Sequence, residues 1–499
     1  MEKKENKKSK MSRRRFIGTT VAATSAFTVI PSHVVSAKRK KKKRPSDKLN
    51  IAGIGIGGIG FHNIKHMAEE NIVALCDVDW KYANKAFDAF PNAVKYKDYR
   101  KMLDERKDID AIVVGTPDHT HAIIAMAGIK RGLHTYVQKP LTHSVWESRK
   151  LTEAAKKYGV ATQMGNQGNS DEGIRQMCEW IWSGKIGEIK EVHAWTDRPI
   201  WPQGLERPKE TPPTPKTLDW DLFLGPAPKR PYHPSYTPWN WRAWWDFGTG
   251  ALGDMACHIL DPVFWALKLK YPTAVVGSST QVNTESAPHA EYVVYTFHAR
   301  DNLPKVAMPE VKVHWYDGGL LPERPAELTE GEPLGWNGGG CLFIGSKGKI
   351  LCGCYGLKPT LLPRTEMAHF TQPEKTLRRI ENAHGGGHEK DWIRACKESK
   401  EHRVEASSNF NLSGPLNEMV VMGTLAVRLQ DLKRTLKWDG KKMEFTNISP
   451  TDEIRVVTSD KFDVIDGDPK FDTNYETMNA SKVAKEWIRH TYREGWEQI

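Results

Sequence analysis

Gly55, Gly57 and Gly60 stand in the spacing G-x-G-x-x-G, directly after the apolar run Leu49-Asn50-Ile51-Ala52-Gly53-Ile54. Glycines at that spacing suit a pyrophosphate: one makes a tight turn, one lets the phosphate approach the backbone, and one lets a helix pack closely on a strand. The anion then rests on the unpaired N–H groups at the helix start, expected here from Gly58, Ile59 and Gly60. A second apolar run, Ile72-Val73-Ala74-Leu75-Cys76, ends in Asp77. A carboxylate about twenty residues beyond the glycines accepts hydrogen bonds from an adenosine ribose. Its charge repels a 2′-phosphate, so the pattern predicts NAD rather than NADP.

A second group of residues suits proton transfer. Asp254 and His258 are four apart, so on a helix they share a face and point into one pocket. Lys139, in Gln138-Lys139-Pro140, follows the apolar run His134–Val137, at a strand end where ligands bind in parallel sheets. Oxidising a secondary alcohol needs a base for the hydroxyl proton and an acceptor for the hydride. A neutral imidazole at His258, with an ordinary pKa of about 6.5, takes the proton near neutral pH. Lys139 would hydrogen-bond the same oxygen and stabilise alkoxide character.

Further candidates surround these. The stretch Gly115-Thr116-Pro117-Asp118-His119-Thr120-His121 closes another strand, placing Thr116, Pro117 and His121 beside the cofactor together with Gln138. Asn166 and Gln167 follow the sixth strand and are expected at the cofactor and at substrate hydroxyls. Trp239, Trp241, Trp244 and Trp245 precede Asp254, with Arg242 between them. Aromatic faces with polar edges suit sugar rings, so Trp241 and Arg242 are expected at the substrate and at least two of the tryptophans in the core. In His384-Gly385-Gly386-Gly387-His388 three glycines forbid a firm helical ligand pair, so no metal is expected there. His388 is expected to reach the substrate.

Elements that could position these residues alternate through the first part of the chain. Helix patterns begin near Gly58, Trp80, Tyr99, His119 and Ser144, between strand patterns at Asp110–Gly115, His134–Val137 and Val160–Met164. That alternation predicts a doubly wound parallel sheet, the Rossmann arrangement, over residues 49–165. Beyond it, period-two strands at Ile189–Thr196, Ala274–Val282, Glu291–Ala299 and Val311–Tyr316 predict an α+β domain with a large, open, mainly antiparallel sheet over 166–449. Its helices are expected at Gly173–Ser183, Met255–Leu267, Glu389–Lys397 and Pro415–Gln430. Residues 450–499 read as a tail, irregular until a helical stretch at Ala480–Arg493. The class is α/β overall.

With its glycine turn, Thr116-Pro117-Asp118-x-x-His121, Lys139-Pro140 and Asp254-x-x-x-His258 in this order, the chain resembles the Gfo/Idh/MocA family, which includes glucose–fructose oxidoreductase and inositol dehydrogenase. The resemblance covers about residues 48–440. It implies an NAD-dependent oxidoreductase whose catalytic set is Lys139, Asp254 and His258, and a homo-oligomer, dimer or tetramer. One departure is Gln138, where the family usually has glutamate.

The first residues read as an address. Ser12-Arg13-Arg14-Arg15-Phe16-Ile17, an apolar run from about Gly18 to Ile30 and Val35-Ser36-Ala37 make a secretory signal over 1–37. Paired arginines before it resemble a twin-arginine export signal, which carries folded proteins to the periplasm or beyond. A basic linker, 38–48, follows. Residues 1–48 hold 16 Lys/Arg against 3 Asp/Glu, leaving 57 against 58 in the rest. The overall charge of +12 therefore belongs to the leader, and the neutral body argues against nucleic acid as a partner. No membrane span is expected in the mature chain, and the seven scattered cysteines form no disulfide framework. The reading is an exported, NAD-dependent oxidoreductase acting on a sugar, polyol or glycoside. The alternatives are a redox-neutral glycosidase working by transient oxidation and elimination, and a non-catalytic sugar or nucleotide sensor.

Overall fold

The strand that leads into the glycine turn, β1 (Asn50–Ile54), is apolar and buried along nearly its whole length because both faces of its sheet are covered. The computed structural model describes residues 48–499, so the expected signal and all but the last residue of the basic linker lie outside the described residues. β1 is joined by β2 (Asn71–Cys76), β3 (Val94–Tyr96), β4 (Ala111–Val114), β5 (His134–Val137) and β6 (Thr162–Met164) in an all-parallel sheet of order β3-β2-β1-β4-β5-β6. The crossovers carry helices α1 (Gly58–His66), α2 (Asn84–Ala89), α3 (Tyr99–Glu105), α4 (Asp118–Lys130) and α5 (Val145–Tyr158). Strand order reverses between β1 and β4, which opens the crevice where such sheets take ligands. Local chemistry sets the ends: Ser144 and Glu147 form a capping box at the start of α5, and Gly159 at φ +63° stops it.

After α6 (Glu172–Trp182), β7 (Ile189–Thr196) enters a second sheet, followed by a short helix α7 (Trp220–Leu224) and the long helix α8 (Gly250–Ala266). The sheet adds β8 (Ala274–Ser279), β9 (Glu291–Phe297), β10 (Val311–Tyr316), β11 (Gly339–Gly345), β12 (Gly348–Gly353) and β13 (Thr360–Leu362). Past α9 (Gly387–Lys397) and α10 (Phe410–Arg428), β14 (Leu436–Asp439) and β15 (Glu444–Phe445) complete it in the order β13-β12-β11-β7-β10-β9-β8-β14-β15. Its pairs are antiparallel except β7 with β10. β9 alternates buried and half-buried residues, as a sheet covered on one face should. α10 packs on α5, α8 and β8, so one apolar core runs from the first sheet into the second.

Several expectations shift. α2 starts at Asn84 rather than Trp80, α8 at Gly250 rather than Met255, and α10 at Phe410 rather than Pro415. Contacts cross the expected boundary at 165/166. α9 puts Trp392 and Ile393 into the core of the first sheet beside Leu75 and Val113, and Met164 N donates to Ser408 O at 2.9 Å. The tail is not irregular. It forms a long antiparallel hairpin, β16 (Glu453–Ile465) and β17 (Asp468–Asn479), turned at Asp466-Gly467, where both residues have positive φ. Helix α11 (Ala480–Arg489) follows. Among the described residues no helix is long and apolar enough to cross a membrane.

Candidate active site

A cleft of about 370 Å³ opens at the C-terminal ends of β1, β2, β4 and β5. Asp77, Asp79, Lys97 and Tyr99 line one end, the turn Gly55–Ile59 its middle, and Lys139, Asp254 and His258 the other end.

The glycines act as close-packing points. Gly55 has φ +72°, and a Cβ there would lie 2.5 Å from Thr116 N. A Cβ on Gly60 would lie 1.9 Å from Gly55 O, so α1 meets the turn only because this residue has no side chain. Asp77 accepts from Ile56 N (2.9 Å) and Gly57 N (3.2 Å) through Oδ2, and from Asp79 N (2.9 Å) through Oδ1. Burial nevertheless pushes its carboxyl up to about 6. Oδ1, with one bond, keeps acceptor capacity, while Oδ2 already accepts two. A glycine cradle, the N–H groups of the first turn of α1 and a carboxylate at the far wall fit a dinucleotide.

At the other end, Asp254 projects from the second turn of α8. Lys139 Nζ donates to its Oδ1 at 2.6 Å and to its backbone O at 3.0 Å. Arg242 Nε donates to the same Oδ1 at 3.1 Å. Burial alone would raise the Asp254 carboxyl, but the charges of Lys139 and Arg242 outweigh it and hold the group well below the usual carboxylate range. Arg242 is itself fixed between Trp239 and Trp241, 4.0 and 4.3 Å from their ring centroids. His258 lies one turn on. Burial first, and then the Lys139 charge, hold its imidazole well below the ordinary pKa, so it is neutral. Its Nδ1 is buried without a partner, and Tyr355 packs edge-on against the ring at 4.7 Å. What enters the cleft therefore decides where the imidazole proton sits.

The cleft brings together Gly55, Gly57, Gly58, Ile59, Asp77, Thr116, Pro117, Gln138, Lys139, Gln167, Trp241, Arg242, Asp254 and His258. Four expected residues stand elsewhere. Gly60 packs against Gly55, behind the turn. His121 is buried with Nδ1 on Pro140 O (2.8 Å) and Nε2 on Thr116 O (2.7 Å), tying the ends of β4 and β5 together instead of touching the cofactor space. Asn166 donates to Asp261 on α8 (2.9 Å) and accepts from Ser408 (2.5 Å), so both ends of its amide are occupied. His388 is fully buried, with Nδ1 on Ser170 Oγ and Nε2 on Met164 O, and does not line the cleft. Gln138 lines the cleft, but its amide donates to Asn63 at 2.7 Å. Trp239 stands half exposed at the rim, whereas Trp244 and Trp245 are buried.

Tyr82, Tyr355 and Trp496 are among the wall residues that were not foreseen. Tyr82 covers the glycine turn, its ring 2.1 Å from where a Gly57 Cβ would be. Tyr355 comes from beyond β12, and Trp496 closes the adenosine end. Asp118 does not line the cleft but lies buried next to Pro117, which does. Burial pushes the Asp118 carboxyl up to about 7 although Thr249 donates to it. Asp118 sits inside a quoted motif, so its position was available in the sequence. Tyr355 and Trp496 carry no local signal.

Residues 49–166 match the Gfo/Idh/MocA family described as "Oxidoreductase family, NAD-binding Rossmann fold", and residues 182–300 match its "C-terminal alpha/beta domain". The chain is 29% identical over 146 residues to inositol 2-dehydrogenase of Salmonella typhimurium, covering 28% of this chain and 43% of that protein. It is 28% identical over 153 residues to a glycosyl hydrolase family 109 protein of Shewanella woodyi, covering 28% and 32%. The matches thus span less than half the length of these curated relatives. The solved structure of levoglucosan dehydrogenase with NADH and levoglucosan has a TM-score of 0.52 at 18% identity, covering 78% of this chain and 99% of that one, a likeness of fold.

Proposed function

The chain belongs to the Gfo/Idh/MocA oxidoreductase family and binds NAD through its Rossmann domain, and on that premise we propose that it is exported and oxidises a hydroxyl-bearing carbon of a sugar, polyol or glycoside. The observation that carries the reading is the convergence of Lys139, Asp254 and neutral His258 at one end of a cleft whose middle is the glycine turn. When bound, NAD supplies the acceptor for the hydride leaving the carbinol carbon. Neutral His258 takes the hydroxyl proton, so the alcohol loses one proton and one hydride and becomes a ketone. Lys139 donates to the same oxygen as negative charge develops there. Asp254 fixes the ammonium and balances its charge, and Arg242 fixes Asp254. Trp239 and Trp241 offer apolar faces for a sugar ring at the rim. Asp77 holds the ribose and disfavours a 2′-phosphate.

Export is supported by Arg13-Arg14 and the apolar run behind them, which lie outside the described residues. Self-association is supported by the hairpin β16–β17, which presents Phe462, Val464 and Phe471 to solvent. A second reading, a redox-neutral glycosidase, is favoured by the likeness to the family 109 protein and uses the same residues.

A panel of sugars, polyols and glycosides, assayed by NADH fluorescence with mass spectrometry of products, tests the proposal. The expected result is NADH formation with a product lighter by two hydrogens. Release of a leaving group without net NADH would replace it with the glycosidase reading. NAD binding without conversion of any of them would favour a sensor.

A further inference from the structure

A second cavity, of about 200 Å³, lies behind the loop that leads into α8. α11 and the residues after it close one side, and Arg428, the last residue of α10, lines another. The Arg428 guanidinium lies 3.7 Å from the ring centroid of Trp487 and 5.0 Å from that of Trp245. Among the described residues it makes no hydrogen bond and no ion pair, not even to the carbonyls at its own helix end. Burial pulls it down to about 9, and Asp246 is the carboxylate whose charge works against this. That carboxylate is ion-paired with Arg230. Two tryptophan faces thus hold a half-buried cation whose N–H donors have no protein partner among the described residues and are open to an anion entering the cavity.

The other polar groups agree. His490 stacks on His143 with ring centroids 4.6 Å apart, and both are held neutral by burial. His143 Nε2 is engaged with Gly248 O, but the His490 ring has no hydrogen bond among the described residues. The remaining acids lining the cavity are occupied: Glu147 by Tyr492 and its capping box, Glu486 by Thr491. What remains free is a set of donors.

We propose that this cavity binds a small organic carboxylate, held by Arg428 with His490 as second donor. A carboxylate matches the guanidinium fork. Neighbouring acids disfavour a doubly charged phosphate. An apolar lobe of about 140 Å³ that shares Arg428 and Trp487, lined by Val282, Val456, Met478 and Val483, suits a short hydrocarbon chain. The site also adjoins the catalytic loop, because His119 and His143 from its wall hold Phe247 O and Gly248 O just before α8. Its occupant therefore bears on the loop that sets Asp254 and His258.

The test is titration of the full chain with butyrate, acetate and inorganic phosphate at fixed ionic strength, by calorimetry and tryptophan fluorescence. Saturable binding is expected, with butyrate tightest. Arg428→Met should weaken it about tenfold or more, while Lys139→Met, in the main cleft, leaves it unchanged. If Arg428→Met does not fold, His490→Gln should weaken butyrate binding, and wild-type melting temperature should rise with butyrate concentration. Absence of saturable binding, wild-type affinity in the Arg428 and His490 variants, phosphate tighter than butyrate, or loss on Lys139→Met would each overturn the assignment.

Discussion

Replacing Lys139 by methionine keeps the aliphatic stem and removes one charge from a nearly closed site, where the side chains of Lys139, Asp254 and Arg242 are 15%, 14% and 12% exposed. Asp254 loses its 2.6 Å partner but keeps Arg242 Nε at 3.1 Å, so the carboxylate is not stranded. The folding loss should stay at about 1.5–3 kcal/mol, the range for a charge-assisted hydrogen bond. The rate loss is larger, because the donor to the reacting oxygen is gone. Removing one such donor typically lowers turnover by about 10²–10³-fold, or about 2.7–4 kcal/mol. The pH profile gives an independent sign. After burial, the Lys139 charge is the main influence lowering His258, so its removal lifts that pKa towards the ordinary value. Neutral imidazole is the working form, so the acid limb of kcat/KM moves to higher pH. Asp254→Asn removes a charge that raises His258, and its acid limb moves the other way. Steady-state rates across pH on the sugar identified by the panel, with NAD affinity as control, read both. Near-wild-type turnover in Lys139→Met, or acid limbs moving in the same direction for the two variants, would refute the reasoning.

Asp77→Ala should weaken NAD binding by about 1–3 kcal/mol, since ribose hydroxyls lose their acceptor. The ionised carboxyl is the better acceptor and its pKa is about 6, so wild-type affinity should fall as pH drops through about 6. Calorimetry on stripped protein that shows the same pH dependence in the variant would place the ribose elsewhere. Protein purified without added nucleotide should retain a substantial fraction of one NAD or NADH per chain, because Tyr82 covers the glycine turn and Trp496 the adenosine end. Chromatography of denatured material measures this. Trp496→Ala should release the nucleotide faster, and an empty wild-type site would end the captive-cofactor idea. Phe471→Asp on the hairpin should reduce self-association in sedimentation, whereas unchanged sedimentation would move the interface elsewhere.

Legibility followed the range of the interactions. The glycine turn, Asp77 and the Ser144–Glu147 capping box depend on residues a few positions apart or on one strand–helix unit, and the spacing alone fixes their geometry. The tail hairpin was missed, because the tail read as irregular. Asp466-Gly467 is the pair a two-residue turn with positive φ demands, but the flanking strands are long and mostly exposed, so hydrophobic alternation did not announce them. His121, Asn166 and His388 went the other way. Polar residues beside a site look the same in sequence whether they face the ligand or tie elements together. Their partners, Pro140 O, Asp261 and Met164 O, come from 19, 95 and 224 residues away.

The sequence by itself determined the doubly wound sheet, the glycine turn and the residue types proposed to do chemistry, because periodicity and short spacings encode strands, turns and helix faces directly. Only the tertiary structure decided which of those residues share the cleft. It brought Lys139 from the end of β5 to Asp254 across 115 residues of chain. It put Arg242 between two tryptophans, set Tyr355 against His258, and folded α9 and the C-terminal segment back onto the first sheet. Those contacts come from burying apolar surface common to distant segments, which no local spacing records.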